Sequence, residues 1–334
     1  MRWLLNSLLA LIGLVAIVAV GGYFWLKRPD IPYATLETQY ANGASQYVDL
    51  PGGIHMHYRD QGQGPTLLLI HGFSASLHTW QPWVDRLATG DQRINDYRVI
   101  TIDLPGHGLT RAPAGYQPSI ENYVAAVQAF VEARGLTQFG LAGNSMGGNV
   151  AWEYALAHPE HVQALILVDA GGWPDNRPEA NRETPIFKLM RNPTLGPILL
   201  QLDATNLVRQ GLRSAFYDPA LVTDIMVSRY TRLGRAPGHR QILLQIQQGF
   251  RARNVATPER LAGLHMPVLI MTGDTDRLIP PEHAQQFHDA IPGSQLITFE
   301  HCGHIPQEEK PDESAMAVHE FMYRIIEGSA LAAE

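Results

Sequence analysis

The sequence is poor in cysteine and in clustered positive charge. Cys302 is the single cysteine among 334 residues, which excludes an internal disulfide and leaves too few thiolates for a structural zinc site. Charged residues make up 17% of the chain, the net charge is −7, and no lysine or arginine cluster is long enough to follow a nucleic-acid backbone. We therefore expect no nucleic-acid partner. The hydrophobic share of 45% suits one large globular domain, or one domain with an insertion.

The first residues of the chain are almost wholly apolar. Between Trp3 and Trp25 the polar side chains are Asn6 and Ser7, and as a helix this run would be roughly 35 Å long, enough to cross a hydrocarbon layer of ~30 Å. Aromatic residues at both ends suit membrane interfaces. The sequence predicts an uncleaved, single-pass transmembrane anchor over 1–28, with a cleaved signal peptide as the alternative. Positive charges flank the run on both sides, so the orientation is close to a tie, and we prefer the bulk of the chain outside the cytoplasm.

A predicted linker over 29–46 leads into alternating strands and helices. The strands are short apolar runs, of which Thr66–Ile70 is typical of a strand buried on both faces of a parallel sheet. Strands are predicted at Tyr47–Leu50, Ile54–Asp60, Thr66–Ile70, Arg98–Asp103, Phe139–Ala142, Ala164–Val168, Val268–Thr272 and Gln295–Phe299. Helices are predicted at Trp80–Thr89, Ile120–Arg134, Asn149–His158, Pro281–Ala290 and Asp312–Ile326. This succession predicts an α/β fold with a doubly wound, mostly parallel sheet.

One long region interrupts the alternation. Residues 173–253 contain no convincing strand and are too many for a loop in a compact domain. We interpret them as a helical lid inserted between a first core segment, 47–172, and a second, 254–334. Most apolar residues of the lid are expected to fill its own interior, and those that face a pocket would suit an apolar acyl chain.

The segment Gly143–Gly148 reads G-x-S-x-G between a predicted strand and a predicted helix. A serine in this position is the layout of a nucleophile elbow, in which a sharp turn exposes the Ser145 hydroxyl at the start of a helix. Glycines two positions before and after the serine remove side chains that would clash in the turn. The alternative is a glycine-rich turn whose serine only caps the helix. The motif and its partners favour Ser145 as a catalytic nucleophile.

A serine nucleophile needs a base, and the base needs an acid to orient it. His304 follows the last predicted strand and a glycine, so we predict His304 as the base and His301 as the nearest competitor. Three acids follow strands and precede the histidine in the chain. We prefer Asp276 as the third member of a triad, expect Asp274 to brace the turn, and keep Asp169 as a further possibility.

An oxyanion hole needs two backbone N–H groups. We expect one from Met146, the residue after the serine, and one from Phe73, in the loop that follows the strand Thr66–Ile70. His71 in the same loop is interpreted as a structural histidine. The loop 103–108 contains Asp103 and His107, which could mimic a catalytic dyad, and we expect a packing role for both.

The chain from Tyr47 to Ile326 resembles the α/β-hydrolase superfamily, of the serine esterase and lipase type. The resemblance rests on four motifs in order, His71-Gly72-Phe73, Asp103-Leu104-Pro105-Gly106-His107-Gly108, the elbow around Ser145, and the Asp276 and His304 loops. It implies Ser145, Asp276 and His304 as catalytic triad, Phe73 and Met146 as oxyanion donors, and no metal or organic cofactor. Ser145 argues against the dehalogenases and epoxide hydrolases of the superfamily, which place aspartate at the elbow.

Two groups within the superfamily are similar to this chain. Membrane-anchored monoacylglycerol lipases also precede the fold with one hydrophobic segment, and this similarity implies a small apolar ester as substrate. Carbon–carbon bond hydrolases of ring-cleavage pathways share features that Asn144 and Arg229 match, but they usually carry tryptophan after the catalytic histidine, where this chain has Ile305. A non-catalytic ligand binder on the same fold is the further alternative.

Overall fold

Eight strands carry the architecture of the chain. This computed structural model describes residues 2–89, 97–175, 177, 185–190, 192, 194–249 and 255–331. The strands are β1 (Ser45–Leu50), β2 (Ile54–Gly62), β3 (Thr66–Ile70), β4 (Arg98–Ile102), β5 (Phe139–Asn144), β6 (Val162–Val168), β7 (Val268–Gly273) and β8 (Gln295–Phe299). Every strand predicted from the sequence is present, and two of them have the predicted bounds.

The helices surround the strands and form the inserted region. They are α1 (Arg2–Leu26), α2 (Tyr33–Tyr40), α3 (Gln81–Val84), α4 (Ile120–Arg134), α5 (Met146–Ala157), α6 (Pro185–Met190), α7 (Gly196–Leu199), α8 (Thr205–Ala215), α9 (Asp224–Leu233), α10 (His239–Gly249), α11 (Pro258–Leu261), α12 (Pro281–Ala290), α13 (Pro306–Glu309) and α14 (Pro311–Leu331). Where one helix was predicted over Trp80–Thr89, the chain instead forms a 3₁₀ turn over Leu77–Trp80, the short α3, and a π turn over Asp85–Thr89.

The strands form one sheet in the order β1-β2-β4-β3-β5-β6-β7-β8. β2 pairs antiparallel with both β1 and β4, and all other pairs are parallel. Along β3, Leu68 and Ile70 belong to one buried cluster and Leu67 and Leu69 to another, because successive side chains point to opposite faces of a strand. The continuous apolar runs are therefore explained by burial on both faces, and the prediction of a doubly wound, mostly parallel α/β sheet is confirmed.

The predicted membrane anchor is a helix, α1, of 25 residues. Within the part of the chain that the structure describes, however, no helix combines the length and the apolar character needed to cross a membrane. The transmembrane interpretation is therefore not supported. The end of α1 is joined to the lid, since Lys27 forms a β-bridge with Leu202, and the Arg28 guanidinium lies 3.1 Å from the Asp203 carboxylate.

The segment predicted as a linker over 29–46 needs correction, because it has regular structure and is packed. It contains α2, and β1 begins within it at Ser45. Ile31 and Leu36 are buried in one cluster with Leu109 from the core and Leu233 from the lid. The burial of these apolar side chains fixes the position of the segment, although it contains prolines.

The inserted region is helical, in agreement with the lid that the sequence predicts. Its described residues form α6 to α10, and within those residues no strand is present apart from the single bridge of Leu202 to Lys27. Residues 178–184 and 250–253, which belong to the predicted lid, lie outside the described residues.

A buried carboxylate connects three parts of the core. Asp103 accepts hydrogen bonds from the backbone N–H groups of Leu77 and Leu109, and its Oδ2 lies 2.7 Å from Nδ1 of His57 on β2. Burial alone would raise the pKa of Asp103, but His57, the nearby His71 and the Leu109 N–H hold it below its ordinary value. The ionised form of Asp103 therefore stabilises the fold.

We predict that Asp103→Asn lowers the free energy of unfolding by about 3 kcal/mol, because it breaks a buried, hydrogen-bonded pair. Since the folded pKa of Asp103 lies below its unfolded value, this stabilisation is present above about pH 4 and is lost as the pH falls further. Urea denaturation at neutral and acidic pH measures both effects. Asp49→Asn is the matched control, because Asp49 contacts His55 at 2.6 Å but is largely exposed. Equal destabilisation by the two substitutions would contradict the prediction.

Candidate active site

The serine of the G-x-S-x-G segment occupies a strained turn of one residue. β5 ends at Asn144 and α5 begins at Met146, so Ser145 alone connects them, with φ 58° and ψ −118°. Its backbone is held by hydrogen bonds with Val168 and Gly171, of 3.0 and 2.9 Å. A non-glycine residue with positive φ is uncommon and marks a position where surrounding contacts impose the conformation. The hydroxyl of Ser145 lies at the wall of a cavity at this edge of the sheet.

The glycines of the motif are required by close backbone contacts. A Cβ atom on Gly143 would lie 2.1 Å from the carbonyl oxygen of Gly147, and one on Gly147 would lie 2.2 Å from the carbonyl oxygen of Ile70. Both distances are far below van der Waals contact. The predicted reason for the two glycines is therefore confirmed.

The structure brings His304 and Asp276 together. Nδ1 of His304 lies 2.6 Å from Oδ2 of Asp276, and both side chains are buried. The other carboxylate oxygen of Asp276 accepts the backbone N–H groups of Leu278 and Ile279. Burial by itself would raise the pKa of Asp276, but His304 and these two N–H groups hold it below its ordinary value. An ionised Asp276 fixes the tautomer of His304, with its Nδ1–H toward the carboxylate and Nε2 free to act as a base.

None of the competing candidates takes the place of His304 or Asp276. Asp274 accepts the backbone N–H of Cys302 at 3.2 Å and so braces the turn, as expected from its position. His301 is exposed, has φ 51°, and packs against Tyr217 in a tilted arrangement with ring centroids 5.2 Å apart. Asp169 is buried behind Asp276.

A second Ser-His-Asp chain exists outside this site. His57 contacts Asp103 with Nδ1, and its Nε2 lies 2.9 Å from Oγ of Ser45. These residues connect the antiparallel strands to the loop after β4, and none of them lines the cavity at Ser145. His107 is also buried there, with Nδ1 3.3 Å from the carbonyl oxygen of Pro105. Asp103 therefore has a structural contact, and its partner is His57 rather than His107, the histidine that the sequence suggested.

His71 fixes the orientation of the Gly72 carbonyl in the loop after β3. Nδ1–H of His71 donates to the carbonyl oxygen of Gly72 at 2.8 Å, and Nε2 accepts the N–H of Leu104 at 3.0 Å. Burial lowers the pKa of His71, so the imidazole is neutral and keeps one acceptor nitrogen. Because the peptide unit is planar and trans, a Gly72 carbonyl held toward His71 directs the Phe73 N–H the opposite way. Met146 is the first residue of α5, so its N–H has no acceptor within the helix.

Two contacts that the sequence did not reveal hold the histidine loop in place. The side-chain amide of Asn144 donates to the carbonyl oxygens of Val168 and His304, at 3.2 and 3.1 Å. The backbone N–H of His304 donates to the carbonyl oxygen of Ala215, the last residue of α8, at 2.6 Å. Asn144 stands next to the serine, so its role could have been suspected, whereas the Ala215 contact joins distant residues by a backbone atom and leaves no sequence signal.

The cavity above Ser145 has a volume of about 1190 Å³. Ser145, His304, Phe73 and Met146 all line it, while Asp276 lies behind His304 and does not. Much of the remaining wall is leucine from the lid, namely Leu199, Leu200, Leu202, Leu207, Leu212, Leu243 and Leu244. Arg229, by contrast, is not part of the wall and lies beside Tyr230 and the charge of Glu308.

The donor set near His304 also has to be considered as a metal site. Asp169, Asp276 and His304 each bring one ligand atom within 4.8 Å of the others. The 2.6 Å distance between His304 and Asp276 is that of a hydrogen bond and is too short for two atoms that share a metal ion at about 2.0–2.2 Å from each. The geometry is that of a hydrogen-bonded chain.

Comparison with known proteins identifies the fold family. The family model described as alpha/beta hydrolase fold matches residues 65–311. The chain is 30% identical over 277 residues to a dihydrolipoyllysine-residue acetyltransferase component of an acetoin cleaving system from Cupriavidus necator, covering 82% of this chain and 67% of the relative. It is 26% identical to 2-hydroxy-6-oxo-2,4-heptadienoate hydrolase from Pseudomonas putida, covering 82% of this chain and 94% of that enzyme.

A solved structure of a membrane phospholipase A, described as a bacterial virulence factor, is similar over 97% of this chain and 99% of its own, with a TM-score of 0.68 and 26% identity. The chain belongs to the α/β-hydrolase fold family. It is a hydrolase of this fold, as the sequence motifs implied.

Proposed function

We propose that this protein is a serine hydrolase that cleaves carboxylic esters with an apolar acyl chain. The observation that carries the proposal is the position of Ser145, which stands in a strained turn at the wall of an apolar cavity together with His304, whose imidazole is oriented by Asp276.

Each side chain has one role in the proposed reaction. Ser145 attacks the ester carbonyl, and Nε2 of His304 takes its proton and gives it to the leaving alkoxide. The N–H groups of Phe73 and Met146 stabilise the negative oxygen of the tetrahedral intermediate. Water activated by His304 then hydrolyses the acyl-enzyme, and Asp276 stabilises the imidazolium at both stages. No metal or organic cofactor has a role in these steps.

The cavity supports the choice of an apolar acyl chain. Its volume of about 1190 Å³ lies at or above the upper end of the range of about 300–1,000 Å³ for small-molecule sites. The leucines of the lid supply a wall from which a hydrocarbon chain would displace water.

Carbon–carbon bond hydrolysis is a second candidate, favoured by the similarity to the heptadienoate hydrolase. Two features of this chain speak against it. Arg229 does not line the cavity, and Asn144 uses its amide to hold the His304 loop. Both features therefore have structural explanations, and we place ester hydrolysis first.

Covalent labelling tests the nucleophile. We predict that a fluorophosphonate probe labels the protein and that Ser145→Ala abolishes labelling, because the probe reacts with an activated serine hydroxyl. Asp276→Asn should lower kcat on p-nitrophenyl butyrate by about 10³- to 10⁴-fold, since the histidine loses its orienting anion. Ser214→Ala is the matched control, because Ser214 also lines the cavity but donates its hydroxyl to Gln210.

Labelling that persists in Ser145→Ala would place the nucleophile elsewhere. Turnover of a 2-hydroxy-6-oxo-dienoate in preference to every ester tested would assign carbon–carbon bond hydrolysis. A protein that is neither labelled nor active would be a binder on this fold.

Narrowing the cavity tests the acyl site. Gly211 lines the cavity, and a Cβ atom there would meet open space, so Gly211→Phe should fold and occupy part of the acyl site. We predict that it lowers kcat/KM for p-nitrophenyl decanoate tenfold or more while that for the acetate stays within about threefold, because each buried CH₂ contributes about 0.8 kcal/mol. Gly249→Phe is the control, since Gly249 also has open space around its Cβ position and does not line the cavity. A uniform loss across both esters would contradict the assignment.

We further propose that α1 associates with a lipid surface. Many of its side chains are large, apolar and exposed, namely Trp3, Leu4, Leu9, Leu11, Leu14, Ile17, Val18, Val20, Phe24 and Trp25. Continuous apolar surface of this kind marks a protein or membrane interaction site.

Charge introduced into α1 tests this association. Leu14→Asp combined with Ile17→Asp should reduce co-sedimentation of the full chain with phosphatidylglycerol vesicles tenfold or more, because a charge cannot enter the apolar layer without a large cost. Ile225→Asp is the control, since Ile225 is 80% exposed but lies on the lid. Unchanged sedimentation of the double variant would rule out α1 as the lipid-binding element.

A further inference from the structure

Asp169 is a buried acid that the proposed reaction does not use. It follows β6 directly, has φ 44°, and donates its backbone N–H to Met271 on β7 at 2.8 Å. Aspartate tolerates this left-handed conformation better than most residues. The turn directs the carboxyl toward the start of the Asp276 loop, where it is wholly enclosed.

The hydrogen bonds of the two carboxyl groups differ. Oδ1 of Asp169 accepts the Thr272 hydroxyl at 2.8 Å and the Gly273 N–H at 3.2 Å. Oδ2 of Asp169 is buried and has no donor among the described residues. It faces Asp276, whose two oxygens are already occupied by His304 and by the N–H groups of Leu278 and Ile279.

One carboxyl oxygen of Asp169 lies within 4.8 Å of one of Asp276. Two enclosed negative charges at this distance repel each other, which favours keeping one of the two groups protonated. Asp276 has three donors and Asp169 has two weaker ones, so the negative charge belongs on Asp276 and the proton on Asp169. The direction of the pKa values agrees, since burial and the charge of Asp276 raise the pKa of Asp169 well above its ordinary value, whereas that of Asp276 is lowered.

We propose that Asp169 is a protonated carboxylic acid that donates a hydrogen bond from Oδ2 to Asp276 and thereby positions the anion that orients His304. The orphaned oxygen, the enclosed site and the order Asp169, Asp276, His304 define a chain of three side chains, and the last of them lines the cavity together with Ser145. Asp169 is a positioning residue, because it acts through Asp276 and touches neither the cavity nor the reacting atoms. Its effect on turnover depends on the serine-hydrolase function proposed above, but its protonation does not.

Other titratable groups near the pair do not supply the missing donor. Burial raises the pKa of the nearby Cys302 thiol, but this thiol makes no hydrogen bond to Oδ2 of Asp169. Glu309 on α13 and His283 on α12 interact with the charge of Asp276, and burial raises the pKa of the Glu309 carboxyl and lowers that of the His283 imidazole. A second negative charge on Asp169 would therefore have no cation to balance it except the His304 imidazolium.

Infrared spectroscopy tests the protonation directly. At pH 7 the full-length protein should show the C=O band of a protonated carboxylic acid, which Asp169→Asn removes and Asp274→Asn leaves in place. Asp274 is the matched control, because it lies in the same turn region and accepts only the Cys302 N–H. A wild-type protein without the band, or a difference spectrum of wild type minus Asp169→Asn without it, would overturn the proposal.

The pH dependence of kcat/KM for p-nitrophenyl butyrate shows whether Asp169 acts as a hydrogen-bond donor or only fills space. Asp169→Asn keeps a donor, so the apparent pKa of the acidic limb should stay within about 0.3 pH unit of the wild-type value. Asp169→Leu removes the donor and should raise this apparent pKa by about one pH unit. The rise is expected because a carboxylate that loses a donor stabilises the imidazolium more strongly. An acidic limb that moves to lower pH in Asp169→Asn would show that Asp169 was ionised. A wild-type profile in Asp169→Leu would show that it positions nothing.

The two proposals fail in different ways. Loss of the serine-hydrolase function would appear as absent fluorophosphonate labelling with the infrared band intact. If Asp169 is not protonated, labelling would be normal and the carboxylic-acid band assigned to Asp169 would be absent.

Discussion

The close approach of α5 to the ends of β3 and β5 is the constraint from which the rest of the site follows. The backbone of Gly147 lies so near the carbonyl oxygen of Ile70 that a single methyl group would not fit. Because of this contact, Ser145 alone connects β5 to α5, and it makes the turn with a positive φ of 58°. Strain of this kind persists because packing on both sides of the sheet holds it.

The parallel strands then bring distant loops to the same edge. β3, β5, β6 and β7 end side by side, so the loops that carry Phe73, Ser145, Asp169 and Asp276 meet although they are separated by long stretches of chain. In open sheets of this class ligands bind outside the carboxyl ends of the strands. Residues of the inserted helices line the cavity at this edge.

Much of this arrangement could be read from the sequence, because local signals carried it. Apolar runs marked the strands, and the glycines around Ser145 marked the turn, each for a reason that its neighbours in the chain supply. The register of the sheet and the partners of single polar atoms depend on tertiary contacts instead. His57 rather than His107 pairs with Asp103, and α2 packs where prolines suggested a linker, because residues far along the chain determine both. The transmembrane interpretation of α1 rested on the length and apolar character of the run and on its flanking aromatics, and was not supported.

The hydrogen bond from the His304 backbone N–H to the Ala215 carbonyl links the end of α8, which lines the cavity, to the loop that carries His304. If the end of α8 swung outward, the N–H that orients the histidine loop would lose its acceptor, and the imidazole would no longer be held from that side. The position of this end of α8 therefore helps to fix the position of His304. A second part of the same wall, around Leu199 to Ala204, is joined to the end of α1 through Leu202 and Asp203, so a displacement of α1 would change the shape of the cavity.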